Sequence, residues 1–517
     1  MQPVRGPRLL LAALAVGYAL FLLWYHAPYA GGSDSSGYMN SARLLLQGRL
    51  SVPVRFPPGL TPEVLPVDQL VPLGFRLDPA KHLMVPSYPI GLPLHYAAAG
   101  LIVGLEHATT LVSLCAAFGL GALLYLTARE FGVRPDWSVM VALAGALSPL
   151  TVFYALQPMS DLVAAVWALA VVYSALRSSR HAGWAAGAGA ALAVAVLVRP
   201  TNLLLVLPAA IALSPRLKTW GAFLLGGAPG ALFLAGYNRA LYGSVLATGY
   251  TDVGLLFSWH NLLPTLRQYC IWVPVVATPW VIAAFALPWL KVGLRKKLLL
   301  LVWSGSLFLF YGFYECTQET WWYLRFVLPA LPAAGIAAAL GLQEIRFPVW
   351  FLASRLRPVG AAPELDAGRW IMRLPVTHLM LAATLLWVFM WNRSLRTRFI
   401  ETEERVYPEI GRWVAASLPA HAVLAAYQAS GSIFFYSDKP FINPNNLAPE
   451  AYARFNAWAA RQHLVPYAVV FPFEEEEFLH RRMPGDWEPV TRIRQAAIWR
   501  RRDSVMPPVI PFSGQRH

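Results

Sequence analysis

The chain has 517 residues, 57% of them hydrophobic and only 13% charged. Soluble domains run at about 45–50% apolar and about 25% charged, so a soluble globular fold is excluded and most of the surface must face bilayer. The formal net charge of +15 does not point to nucleic acid, because many basic residues sit in short segments between apolar runs, where the positive-inside rule places them on the cytoplasmic side.

Arg5 and Arg8 precede an apolar run from Leu9 to Tyr25. The run is long and no small-residue cleavage pattern follows, so it reads as an uncleaved first span with a cytoplasmic N-terminus. A span needs roughly 20 mainly apolar residues. The expected spans are 8–26, 107–128, 138–156, 162–177, 182–199, 200–214, 219–238, 270–290, 297–315, 322–342 and 376–392. Arg129 and Arg134, Arg177 and Arg180, Arg216 and Lys218, Lys291 with Arg295 to Lys297, and Arg346 with Arg355 and Arg357 fall where alternation requires inside loops. Residues 89–106 are apolar too, but a span there would reverse every later loop. A helix dipping into the outer face is expected instead. Arg369 and Arg373 before the last span, and Arg393, Arg396 and Arg398 after it, do not orient it; parity does.

Past Asn392 the composition changes. Residues 393–517 hold the acidic run Glu474 to Glu477 and nothing long enough to span. β-prone runs at Ala422–Tyr427, Ile433–Tyr436 and Tyr467–Phe471 alternate with helix-like segments at 403–417, 449–463 and 474–483, a pattern of a small α/β domain. The expected fold is therefore mainly α: a polytopic transmembrane bundle of about 11–13 spans over 1–392, with a first external loop at 27–106. A small extracytoplasmic α/β domain follows over 393–517. Cys115, Cys270 and Cys316 are too scattered for a zinc site or a disulfide framework and read as isolated thiols, with a Cys270–Cys316 disulfide as the alternative if both fall near one membrane face.

The external loop opens Gly31-Gly32-Ser33-Asp34-Ser35-Ser36-Gly37-Tyr38. An acid in a Gly/Ser turn just beyond a span is presented to a substrate at the interface; the bland alternative is an N-cap. The run Tyr38 to Leu46 is amphipathic and suits a helix in the headgroup plane. Lys81 and His82 lead into Pro86-Ser87-Tyr88-Pro89-Ile90-Gly91-Leu92-Pro93, whose prolines interrupt a helix where the chain re-enters the membrane. Non-helical backbone at that depth lines a cavity, with Tyr38 and Tyr88 as lining candidates. A second acid, Asp161, stands at the outer end of a span, a site candidate by position, with capping again the alternative.

Arg199 and Arg325 lie near outer ends of spans, where the positive-inside rule does not put them, and a guanidinium fork matches phosphate. Glu315, Glu319 and Trp322 precede the tenth span and are candidates for an acceptor cavity, although Trp321, Trp322 and Tyr323 also fit an interfacial aromatic belt. Lys81 and His82 join Arg199 and Arg325 as cations able to face a leaving phosphate, Arg325 first; His82 equally suits an interfacial histidine with no part in chemistry.

S-D-S-S-G-Y, A-R-L-L-L-Q-G, Y-P-I-G-L-P-L, L-S-P-L-T-V-F-Y ahead of P-M-S-D-L, L-V-R-P-T-N-L-L and W-W-Y-L-R-F-V-L-P-A-L-P occur in this order within residues 8–342. The set resembles bacterial GT-C-type membrane glycosyltransferases, polytopic relatives of the protein O-mannosyltransferases and aminoarabinose transferases. The resemblance implies a polyprenyl-phosphate monosaccharide donor and inverting transfer to an acceptor hydroxyl of a glycolipid, polysaccharide or protein at the outer face of the inner membrane. It implies Asp34 as catalytic base and Asp161 as a second acid holding the acceptor or a metal. Two acids leave room for a divalent cation, though no ligand cluster specifies one. Tyr427-Gln428-Ala429-Ser430-Gly431-Ser432 is similar to the extracytoplasmic appendages of other members, where Ser430 and Ser432 are equally read as sugar contacts or turn residues. A polysaccharide polymerase or ligase would carry its elaborate loop late in the bundle, and a flippase or transporter would show inverted repeats; neither pattern is found.

Overall fold

The computed structural model describes residues 5–78, 81–250, 253–344, 376–445 and 447–502. Arg346, Arg355, Arg357, Arg369 and Arg373, expected to flank the last spans, lie outside the described residues. The chain divides into two compact units: Met1–His26, Thr110–Gly236 and Thr251–Ile400 form one, and Ala27–Thr109, Tyr237–Tyr250 and Glu401–His517 form the other.

The first unit is helical. Every segment expected to span falls on a helix or a pair of helices, among them Arg5–Tyr25, Leu105–Phe131, Ser160–Arg177, Leu217–Tyr242 and Leu294–Gly312. Among the described residues four helices qualify as spans by length and hydropathy, or six if two bent pairs each count once, while Ala182–Val198 and Pro200–Ala212 are apolar but shorter. Proline explains the breaks. Pro135–Ala146 and Pro149–Ala155 meet at 53°, because Pro149 cannot continue the earlier hydrogen-bond ladder and Ser148 caps the new helix by accepting from Thr151 N at 3.1 Å. The span expected at 270–290 is broken more sharply. Trp259–Val276 and Pro279–Trp289 meet at 110°, with Pro279 after a Thr278 at φ 70°.

Glycine sets one helix crossing in this unit. A methyl at Gly226 would stand 2.0 Å from Ala186 O, and one at Gly189 would stand 1.9 Å from Phe223 O. Ala182–Val198 and Leu217–Tyr242 thus touch backbone to backbone, the small-residue packing that substitutes for a hydrophobic drive between helices in lipid.

The second unit is α/β. Strands β1 (Val52–Pro53), β2 (Phe75–Asp78) and β3 (Leu83–Pro86) form an antiparallel sheet of order β1-β3-β2. Strands β4 (Ala422–Ala426), β5 (Phe441–Ile442), β6 (Val465–Val470), β7 (Trp487–Ile493) and β8 (Ala496–Arg501) form a mixed sheet of order β5-β4-β6-β8-β7. One apolar core joins Leu44, Leu65, Phe75 and Met84 of the early loop to Ile410, Leu424, Phe434 and Val469. Gly91–Val103, at about 1.5 Å per residue, is too short to cross the hydrocarbon, and Gly104 at φ 79° separates it from Leu105–Phe131.

Two expectations are corrected in this unit, and one element was not foreseen. Ile433–Tyr436 is not a strand but the end of the helix Ser430–Tyr436; four apolar residues in a row carry no period that separates the two. The β7–β8 hairpin is new, since its Arg-rich sequence shows no clean alternation. The second correction concerns Ser33–Leu46, which is not laid open to headgroups but covered by protein: Ser35 through Ala42 are all buried. Its Ser, Gly and Asn residues let neighbours close in on both sides, Gly91–Val103 on one and Ser430–Tyr436 on the other.

Candidate functional site

In the second unit Asp34 occupies the first turn of Ser33–Leu46, after an N-cap at Gly32 that makes no side-chain capping bond. Asp34 is therefore not the cap. Its charge still sits where the helix dipole favours a carboxylate. Tyr88 is one neighbour: the hydroxyl lies 2.6 Å from Ser33 Oγ and interacts with Asp34. Burial first, then the Asp34 charge, raises the Tyr88 hydroxyl well above its usual range, so it stays a proton donor to the carboxylate.

Tight packing fixes this arrangement. A methyl on Gly37 would meet Tyr88 Cδ2 at 2.4 Å and Gly74 Cα at 3.0 Å, and one on Gly249 would meet Ser87 O at 2.4 Å. Tyr88 packs against Tyr38 at 5.1 Å and edge-on to Tyr250 at 6.1 Å. Tyr38, expected to line a cavity, is instead a core ring only 3% exposed. Lys81 and His82 are exposed at the turn between β2 and β3, Lys81 lying 3.5 Å from Asp78 and His82 at φ 52°.

In the first unit Asp161 opens Ser160–Arg177 and is fully buried. Its Oδ1 accepts from Arg199 Nη2 at 2.5 Å. Arg199 terminates Ala182–Val198, donates Nη1 to Arg325 O at 3.3 Å and lies over the Phe326 ring. The Arg325 guanidinium lies over Tyr323 and Phe326, and Tyr311 stacks on Phe326 while pairing with Thr201 Oγ1 at 2.6 Å. Sequence reasoning named these residues singly; the structure brings Asp161, Arg199 and Arg325 together around Phe326. Glu315 and Glu319 are exposed on and beside the short turn Glu315–Gln318. Trp322 is exposed and stacks near Phe153, its carbonyl accepting from Tyr154.

No family model and no curated protein matches the chain. Solved structures do. ArnT, an aminoarabinose transferase from Cupriavidus metallidurans bound to undecaprenyl phosphate, aligns over 98% of this chain and 100% of its own, at 15% identity and a TM-score of 0.61. The chain has the GT-C fold. Two more GT-C structures agree at lower similarity. The archaeal oligosaccharyltransferase AglB from Archaeoglobus fulgidus, in complex with an inhibitory peptide and a dolichol-phosphate, aligns over 96% of this chain and 75% of its own at 12% identity and 0.51. The arabinofuranosyltransferase AftD from Mycobacteria aligns over 95% and 41% at 14% identity and 0.51. With its apolar helices, the GT-C chain is a multi-pass membrane protein.

The two acids of this GT-C chain differ in what they can do. Asp34 is partly exposed, so its carboxylate is open to the surroundings of the turn. Asp161 is sealed and committed to Arg199, so it orients a guanidinium. Among the described residues no three His, Cys, Asp or Glu side chains converge as a metal site, and all three cysteines are free. Ser430 opens the helix Ser430–Tyr436, and its Oγ accepts from Leu73 N and donates to Tyr427 O.

Sequence reasoning missed the residues beneath Gly31 and Gly32. Glu404 is packed against Gly31, and burial pushes its carboxyl up to about 7. Glu474 accepts from Gln428 N and Phe471 N at 2.9 and 2.8 Å, yet burial outweighs those bonds and raises it to about 7 as well. Both belong to acidic runs, Glu401–Glu404 and Glu474–Glu477, that look like solvated surface in sequence. Nothing local marks them.

Proposed function

We propose that the chain is a glycosyltransferase of the inner membrane, moving one monosaccharide from a polyprenyl-phosphate donor to an acceptor hydroxyl, with inversion, on the extracytoplasmic face. The C-terminal α/β segment is assigned to that face. The likeness to ArnT along the full length of both chains carries this reading, and that structure holds undecaprenyl phosphate; the AglB structure holds a dolichol-phosphate.

Asp34 is the proposed base. As the acceptor oxygen bonds to the anomeric carbon and the bond from that carbon to the phosphate oxygen breaks, the carboxylate takes the hydroxyl proton. The polyprenyl phosphate leaves with the bonding electrons. Arg325 is the proposed partner of that phosphate, because a fixed guanidinium stabilises charge that develops on a leaving group. Arg199, oriented by Asp161, is its proposed neighbour in that work. The acceptor is a glycolipid, polysaccharide or protein hydroxyl.

Purified protein in liposomes, given radiolabelled undecaprenyl-phosphate hexose or pentose and envelope membranes as acceptor, tests the reading. Asp34→Asn is expected to accumulate normally and to lose about 10²–10⁴-fold in transfer. Normal turnover by that variant removes Asp34 from the mechanism. Label taken into sealed vesicles without appearing in product would make the chain a transporter. The same assay with EDTA reads whether transfer needs a divalent cation.

A further inference from the structure

The C-terminal sheet changes direction at β4: the chain leaves for β5 on one side and returns to β6 on the other. In open α/β sheets, the crevice beyond the carboxyl ends of the strands at such a point is where ligands bind. Here Gln428 follows β4 and Glu474 follows β6, tied to each other by the Gln428 N bond to Glu474. Gln428 Nε2 in turn donates to Tyr407 Oη at 3.1 Å.

That place is taken by the chain itself. A methyl on Gly32 would stand 3.0 Å from Gln428 Nε2 and 3.3 Å from Tyr407 Oη, and one on Gly31 only 1.9 Å from Glu404 Oε2. The Glu404 carboxylate is packed against this turn. Gly32 is the N-cap of the helix whose first turn carries Asp34. Farther along, the same helix is anchored independently: Asn40 Nδ2 donates to Gly431 O at 2.9 Å and Arg43 Nη1 to Phe435 O at 2.7 Å. Losing the Glu404 contact would therefore loosen the first turn and leave the helix in place.

We infer that Glu404 is a positioning residue for Asp34: it grips the Gly31–Gly32 turn and so sets where the helix starts and where the Asp34 carboxylate stands. This rests on the reading of Asp34 as base, and the glycines are required because any side chain at 31 would push the Glu404 carboxylate away.

The test uses the full chain with two readouts. The first needs no reaction: with the native cysteines replaced by serine, a Ser33→Cys thiol is labelled with maleimide. Glu404→Ala is expected to raise its labelling rate about tenfold, as a local opening would, while a Gln47→Cys thiol at the other end of the helix is unchanged. The second is transfer: Glu404→Ala is expected to lower kcat about 10–100-fold, the scale of a misplaced catalytic group, with donor KM unchanged. Glu404→Gln keeps an acceptor oxygen and should restore both readouts. Gly31→Ala should reproduce Glu404→Ala, and the double variant should be no worse than Glu404→Ala alone. Unchanged Ser33→Cys labelling in Glu404→Ala and Gly31→Ala, or a raised KM at constant kcat, overturns the inference. Altered labelling together with full activity of Asp34→Asn would sink the proposed base while leaving the grip on the turn demonstrated.

Discussion

The pair Asp161–Arg199 invites removal of one charge. Asp161 is fully buried, the Arg199 side chain is 13% exposed, and the two meet at 2.5 Å. At an effective dielectric of about 20, unit charges at that separation attract by about 7 kcal/mol, most of which offsets the loss of water around each ion. Asp161→Asn keeps the shape but removes the carboxylate charge from a guanidinium that also donates to the Arg325 carbonyl and lies over the Phe326 ring. The expected loss of stability is about 3–5 kcal/mol, the usual result of stripping one partner from a buried pair. Asp161→Leu with Arg199→Met removes both charges and should recover to within about 1 kcal/mol of the parent. Reversible unfolding of the purified protein in mixed micelles gives each value, and the parent, Asp161→Leu, Arg199→Met and their combination form a double-mutant cycle. An Asp161→Asn variant within about 0.5 kcal/mol of the parent, or a cycle in which the two changes simply add, would refute the claim that Asp161 exists to hold Arg199.

Two further outcomes follow from packing and protonation. Gly37→Ala places a methyl 2.4 Å from the Tyr88 ring and is expected to cost about 1–3 kcal/mol by overpacking, seen as a lower midpoint of unfolding; a neutral substitution would mean the ring has room to move. The Glu474 carboxyl is raised from 4.5 to about 7 by burial, so the folded state binds its proton more tightly than the unfolded chain does. Its contribution is fully present below pH 4.5 and is lost as pH rises through 7. Glu474→Gln should flatten the pH dependence of unfolding between those values, and an unchanged slope would place the proton elsewhere.

The elements that could be read from the sequence are those set by short-range chemistry. A run of about 20 apolar residues is a property of its own window, so each expected span lands on a helix. Pro149 and Pro279 mark the two bends for an equally local reason, the missing N–H. The Asp34 turn was also visible, because Gly31-Gly32-Ser33-Asp34 lies just past a span. Ser33–Leu46 was misplaced, since its amphipathic face looks the same whether lipid headgroups or protein cover the polar side. Only Asn40 bonded to Gly431 and Arg43 bonded to Phe435 show that protein does.

By itself, then, the sequence determined a multi-pass helical protein, its helix positions and a short roster of acids and arginines. The tertiary structure decided which of them are partners. Asp161 and Arg199 are 38 residues apart and Gly32 and Glu404 lie in segments at opposite ends of the chain. Such pairings depend on how helices and sheet close around one another, and no window of neighbouring residues contains that information.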